Sequence, residues 1–161
     1  MEFVIKSAEE FSDEDIKIFK KIVVDANEVL EETFDGLIEK NPLLLFLPNS
    51  ENPKAIGALK VPGDRYREKV FRKSQTSLNP TDFKYEIGWI VSLKEDEGLG
   101  QEVIKVLSNY KSEIYATARV ENKAMNHILE KFGFIKTGNP YDSERGNYKI
   151  NLYIKQNRPD S

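Results

Sequence analysis

Glu95-Asp96-Glu97-Gly98-Leu99-Gly100-Gln101 decides how this chain is read, because of what stands on either side of it. Before it runs Tyr85-Glu86-Ile87-Gly88-Trp89-Ile90-Val91-Ser92, rich in the aromatic and β-branched residues that suit a pleated strand. After it Val103, Ile104, Val106, Leu107 and Tyr110 recur with a helical period. Two glycines therefore sit where a strand hands over to a helix N-terminus. Backbone without side chains can turn its N–H groups toward an anion there, and the helix dipole favours negative charge at the same spot. That arrangement holds pyrophosphates. The plainer reading is a tight turn and nothing more.

Farther along, Ile114-Tyr115-Ala116-Thr117-Ala118-Arg119 reads as another strand. It leads into Asn122-Lys123-Ala124-Met125-Asn126-His127-Ile128-Leu129-Glu130-Lys131-Phe132-Gly133-Phe134, where Met125, Ile128, Leu129 and Phe132 share a helix face. Gly133 is placed to close that helix in the left-handed conformation. Strand, glycine loop, helix, strand, then Asn–helix–Gly–Phe resembles the GNAT superfamily of acyl-CoA N-acyltransferases. The family's loop pattern is Gln/Arg-x-x-Gly-x-Gly/Ala, and its later pattern is Asn, seven residues of helix, then Glu-Lys-x-Gly-Phe. The match runs from about Tyr85 to Gly138, and the rest follows in element order.

Bulk properties agree with a soluble globular protein. The chain has 161 residues, enough for one domain with a real core, and is 39% apolar and 32% charged. A net charge of −3 gives no electrostatic case for nucleic acid or an anionic membrane. No apolar run is long enough to span a bilayer, and Met1-Glu2-Phe3 starts a strand rather than a basic leader. Cysteine is absent, which removes disulfides, thiolate metal sites and cysteine nucleophiles, and fits a reducing cytoplasm. With one histidine, no multi-histidine metal centre is expected.

Patterning predicts a first strand at Phe3-Val4-Ile5-Lys6 and a helix capped by Ser12 with Ile16, Phe19, Ile22 and Val23 on one face. A looser helical stretch follows with Val29, Leu30, Phe34, Leu37 and Ile38. Leu43-Leu44-Leu45-Phe46-Leu47 and Ala55-Ile56-Gly57-Ala58-Leu59-Lys60-Val61 form a hairpin around turn residues. Residues 64–84 read as a long connection. The chain closes with a strand at 134–137, a turn-rich loop through Asn139-Pro140 and Arg145-Gly146-Asn147, and a strand at 148–154. The expected architecture is one α/β domain with a mixed sheet over residues 1–155, GNAT-like in fold, and a frayed tail at 156–161.

The resemblance implies roles. The acyl-CoA pyrophosphate would lie on the amides of Glu97, Gly98, Leu99, Gly100 and Gln101, and the pantetheine arm against the backbone of Ile90, Val91 and Ser92. Glu95 stands where the family has Gln or Arg, and with Asp96 and Glu97 it puts three carboxylates beside a polyanion. Asn122 would hydrogen-bond the pantetheine; as a helix N-cap it needs no ligand. Glu86 occupies the place of the family's general base, which must deprotonate the acceptor because an ammonium has no lone pair. On an alternating strand the same carboxylate can also face solvent without a role. Leu129 replaces the tyrosine that many family members use to protonate the thiolate; Tyr110, Tyr115 and Tyr141 are possible substitutes.

Remaining charges have plain readings. His127 falls on the polar side of its helix. Glu28, Glu31, Glu32 and Asp35 either attract a cationic amine or form a solvated face. Arg65, Arg67, Lys69, Arg72 and Lys73, interleaved with Tyr66 and Phe71, either meet an anionic acceptor or belong to an amphipathic connecting segment. The function implied is direct transfer of acetyl from acetyl-CoA to an amine, on a small molecule or a peptide N-terminus, by a cytoplasmic monomer or homodimer needing no metal. The alternative is a non-catalytic module of the same fold that binds CoA or a macromolecular partner.

Overall fold

A computed structural model describes residues 2–94 and 98–156. The chain divides into two compact units, Met1–Val61 with Ile87–Leu107, and Pro62–Glu86 with Ser108–Ser161. Seven strands form a mixed sheet, interspersed with five α-helices.

In the first unit the strand order is β1 (Val4–Ser7), β2 (Leu43–Leu47), β3 (Ala55–Lys60) and β4 (Tyr85–Ser92), with β1, β2 and β3 antiparallel to one another. β2 is apolar throughout because it lies between two strands and is covered on both faces. Helix α1 (Asp13–Asp25) starts where Ser12 accepts a bond from Asp15 N at 3.1 Å, with three acidic residues in its first turn. Its Phe19 and Val23 are fully buried. Helix α2 (Glu31–Ile38) supplies Phe34, and Phe19, Phe34, Phe46 and Trp89 meet with ring centroids 5.1–6.1 Å apart. Helix α4 (Leu99–Leu107) lies close on β3 at Gly57, where a Cβ would stand 2.9 Å from Ile90 Cδ1 and nearer still to Val103 Cγ1. A glycine is what lets that helix approach.

In the second unit the order is β4, β5 (Glu113–Arg119), β7 (Lys149–Gln156), β6 (Ile135–Asp142). β5 runs parallel to the start of β4, with Tyr85 opposite Ile114 and Glu86 opposite Tyr115, and antiparallel to β7 over its whole length. Helix α5 (Lys123–Lys131) is capped by Asn122 and closed by Gly133 at φ +93°.

The segment 64–84, expected as a connection, contains helix α3 (Asp64–Ser74) and a short 3-10 turn. The period was present: Arg67, Val70, Phe71 and Ser74 are the buried positions, spaced as one helix face. Half of that face is polar, so its hydropathy reads as surface. Phe71 packs edge-on to Tyr115 at 5.4 Å and beside Phe83 at 5.6 Å, the centre of this unit's core. The turn-rich loop expected after residue 137 is also largely strand, since β6 continues to Asp142 across an irregular register between Thr137 and Tyr141. Gly138 permits this with φ +71°; a Cβ there would run into the Ser74 carbonyl oxygen of α3. Gln156, expected in the tail, closes β7, and residues 157–161 lie outside the described residues.

Candidate active site

The glycine loop and the Ile87–Ser92 part of the strand before it belong to the first unit. Glu97 lies outside the described residues, together with Glu95 and Asp96, so the acidic part of the loop has no structural description. Gly98 has φ +65°, open space where a Cβ would be, and a carbonyl that accepts the first helical bond, from Glu102 N at 3.1 Å. Leu99, Gly100 and Gln101 then form the first turn of α4, where backbone N–H groups have no intrahelical acceptor. Leu99 is buried, and Gly100 approaches Ile90, whose Cγ2 would be 3.8 Å from an added Cβ. The loop thus presents bare backbone at a helix start, the geometry an anion needs.

Just upstream, Trp89 adopts φ +54° in mid-strand, a left-handed conformation that a bulky side chain rarely takes. Such a residue is a local outlier within a strand that otherwise runs unbroken from Tyr85 to Ser92. The strain, of order 1–3 kcal/mol, is held by an indole that is 3% exposed within the aromatic cluster. Ile90, Val91 and Ser92 follow it: Ile90 faces the glycine side of α4, Val91 packs against the first unit's core cluster, and Ser92 donates to the Lys94 carbonyl at 2.7 Å. No sequence signal announces this conformation, since glycine rather than tryptophan is its usual occupant.

In the second unit Glu86 is buried, 3% exposed, and does not face solvent. The register places Tyr115 beside it on the same sheet face. From α3, the Tyr66 hydroxyl donates to Glu86 Oε2 at 3.3 Å while its ring remains 43% exposed. Tyr141 of β6 feels the same carboxylate. All three phenols are pushed above the ordinary tyrosine value, Tyr66 chiefly by the Glu86 charge, and Tyr115 and Tyr141 chiefly by burial and then by that charge. They are neutral hydroxyls at any physiological pH. Arg67, the neighbour of Tyr66, is 7% exposed, and its guanidinium acts on Tyr115 in the opposite direction.

Tyr66 and Arg67 are therefore site neighbours that the charge pattern of α3 concealed. Their signal was the helical spacing of that segment. Of the proposed substitutes for the tyrosine missing at Leu129, Tyr110 is 44% exposed, whereas Tyr115 and Tyr141 stand with Glu86; Leu129 is itself buried. Asn122 caps α5, accepting from Met125 N at 3.1 Å, and its hydrogen bonds join it to α5 and to Arg119 at the end of β5 rather than to Glu86. Asn126, one turn on, donates to Arg119 O and Asn122 O and accepts from Asn151 and Tyr153. This hub ties α5 to β5 and β7. His127 is exposed. Among the described residues no group of three His, Asp or Glu could hold a metal ion, and no helix is long and apolar enough to cross a membrane.

No protein-family model and no curated protein sequence matches the chain. Solved structures do. An acyl-CoA N-acyltransferase from Pseudomonas aeruginosa superposes with a TM-score of 0.65 at 14% identity, over 96% of this chain and 99% of that one. NAA60 of Arabidopsis thaliana, in complex with acetyl-CoA, gives 0.65 at 11% identity, over 96% of this chain and 98% of that one. The ribosomal-protein-S18-alanine N-acetyltransferase of Escherichia coli gives 0.66 at 15% identity, over 99% and 96%. The chain has the fold of the GNAT N-acyltransferases, traced almost end to end.

Proposed function

We propose that this protein is an N-acetyltransferase that moves acetyl directly from acetyl-CoA to an amine. The observation that carries the reading is the carboxylate of Glu86, buried on a strand of this fold, with the Tyr66 hydroxyl donating to it and Tyr115 beside it on the sheet. Glu86 takes a proton from the acceptor ammonium. The freed lone pair forms the C–N bond at the thioester carbonyl, the C–S bond breaks, and the sulfur leaves with its electron pair as a thiolate, which takes up the second proton that the new amide nitrogen gives up. That leaving group is far more stable than an alkoxide, so Leu129 in place of a tyrosine does not bar the reaction. Tyr141, its phenol neutral, is the hydroxyl nearest in role to a proton donor. A chain without cysteine suits transfer with no covalent way-station.

Gly98, Leu99, Gly100 and Gln101, with Glu97, are assigned to the pyrophosphate; Ile90, Val91, Ser92 and Asn122 to the pantetheine. The positive φ of Gly98 and the left-handed backbone at Trp89, just before Ile90, support this, because each departs from regular structure where a ligand would meet the main chain. The acceptor is an amine on a small molecule or a peptide N-terminus. Thermal shift with acetyl-CoA, beside thiol release on an amine panel, tests the proposal. Stabilisation together with amine-dependent release is expected. Stabilisation without release would favour the non-catalytic module, which Leu129 keeps in view.

A further inference from the structure

Two donors in the second unit are buried without an acceptor: the Tyr115 hydroxyl and the Arg67 Nε–H. Tyr115 is fully buried and Arg67 is 7% exposed. Arg67 engages Asp64 only through Nη2, at 3.2 Å, and Asp64 is 83% exposed, so that pair is solvated and contributes little. A guanidinium edge taken out of water and left unmatched is costly, and an anion is what relieves it.

Both donors address the surroundings of Glu86. Tyr115 stands beside Glu86 across the β4–β5 ladder, and Arg67 lies on the buried face of α3 one turn before Phe71, whose ring meets Tyr115 edge-on at 5.4 Å. The Glu86 carboxylate raises the Tyr115 phenol and the Arg67 guanidinium lowers it, so both charges lie beside that hydroxyl. The neighbourhood is basic besides: α3 carries Arg65, Arg67, Lys69, Arg72 and Lys73 against Asp64 and Glu68, in a chain of net charge −3.

We infer that the acceptor, within the acetyl-transfer reading on which this rests, is a free α-amino carboxylate. Its ammonium goes to Glu86, and its carboxylate takes the Arg67 Nε–H and the Tyr115 hydroxyl. A carboxylate offers two charged acceptor oxygens to two orphaned donors, and a guanidinium edge is the side-chain group best shaped to meet it. A carboxamide, like the first peptide bond of a polypeptide N-terminus, offers one neutral carbonyl oxygen and leaves a donor unmatched. Sites built around such donors reject the analogue that cannot satisfy them.

The test compares the standard L-amino acids with their carboxamides on the full chain, by calorimetric binding to the CoA-saturated protein and by transfer from acetyl-CoA. At least one free acid should bind, and be acetylated with kcat/KM about tenfold or more above its amide. Arg67→Met should cut that acid-to-amide ratio by about tenfold or more, and Arg67→Lys should restore part of it. Tyr115→Phe makes the same comparison if Arg67→Met does not fold. Amides equal to acids, a ratio indifferent to both substitutions, or no acid bound at all would overturn the inference and leave the two donors sharing a structural water. Acids bound in preference to amides but never acetylated would sustain the inference and remove the transfer reading. Transfer to other amines without acid preference would do the reverse.

Discussion

In the proposed reaction, the chemistry turns on Glu86. As the sole base, its replacement by Gln keeps the shape and loses the proton acceptor. Turnover should fall by roughly 10²–10⁴-fold with acetyl-CoA affinity little changed, because a general base acts in the transition state. Steady-state kinetics beside a CoA titration reads this directly, and the acidic limb of kcat/KM should vanish in the variant. A loss under about tenfold with the limb intact would make Glu86 structural. Its position was legible in the sequence through the strand and the family pattern, but its burial was not. Alternation alone leaves strand register open, and register decides whether a carboxylate meets water or three phenols. Arg67 was harder still: an arginine among four other cations reads as surface, and only the packing of its helix shows otherwise.

Elements carry the next set of expectations. At the start of α4, Gly98→Asp and Gly100→Asp should each abolish CoA binding in a folded protein, since a carboxylate would stand where a polyanion approaches bare backbone. Calorimetry showing wild-type affinity in both variants would remove the loop from the site. In the second unit, Gly138→Ala places a Cβ against the Ser74 carbonyl at a positive φ, and should cost roughly 1–3 kcal/mol in denaturant unfolding. A midpoint equal to wild type would mean that α3 and β6 yield easily. Between β6 and β7, Glu144 bridges Lys69 and Lys73 of α3, each at 2.8 Å. Those two ammonium groups lower its carboxyl from 4.5 to about 2. The bridge therefore stabilises fully above about pH 4.5 and fades as pH falls toward 2. Unfolding curves of wild type and Glu144→Gln should differ by a constant amount at neutral pH, differ less in about 1 M salt, and converge near pH 2. A gap that persists in acid would contradict the ion-pair account. The helix α3 itself shows why an element escapes notice. Its buried stripe, Arg67-Val70-Phe71-Ser74, obeys the period but not the hydropathy, and the eye follows hydropathy.

For the whole molecule, element order and the two glycine-bearing motifs were enough to anticipate the mixed sheet and the N-acyltransferase fold, and structural neighbours covering nearly the full chain agree. Low identity leaves the activity to be argued from the site, since one fold serves many functions. The most direct test of the central claim is the stoichiometry of transfer. Free CoA and acetylated amine would be measured by mass spectrometry in one reaction containing acetyl-CoA, a mixed panel of free amino acids and peptides, and the intact protein. Direct transfer predicts one CoA released for each acetyl group found on an amine, and a protein mass unchanged throughout. Acetyl-CoA bound but unconsumed, or CoA released with no acetylated amine formed, would contradict the account.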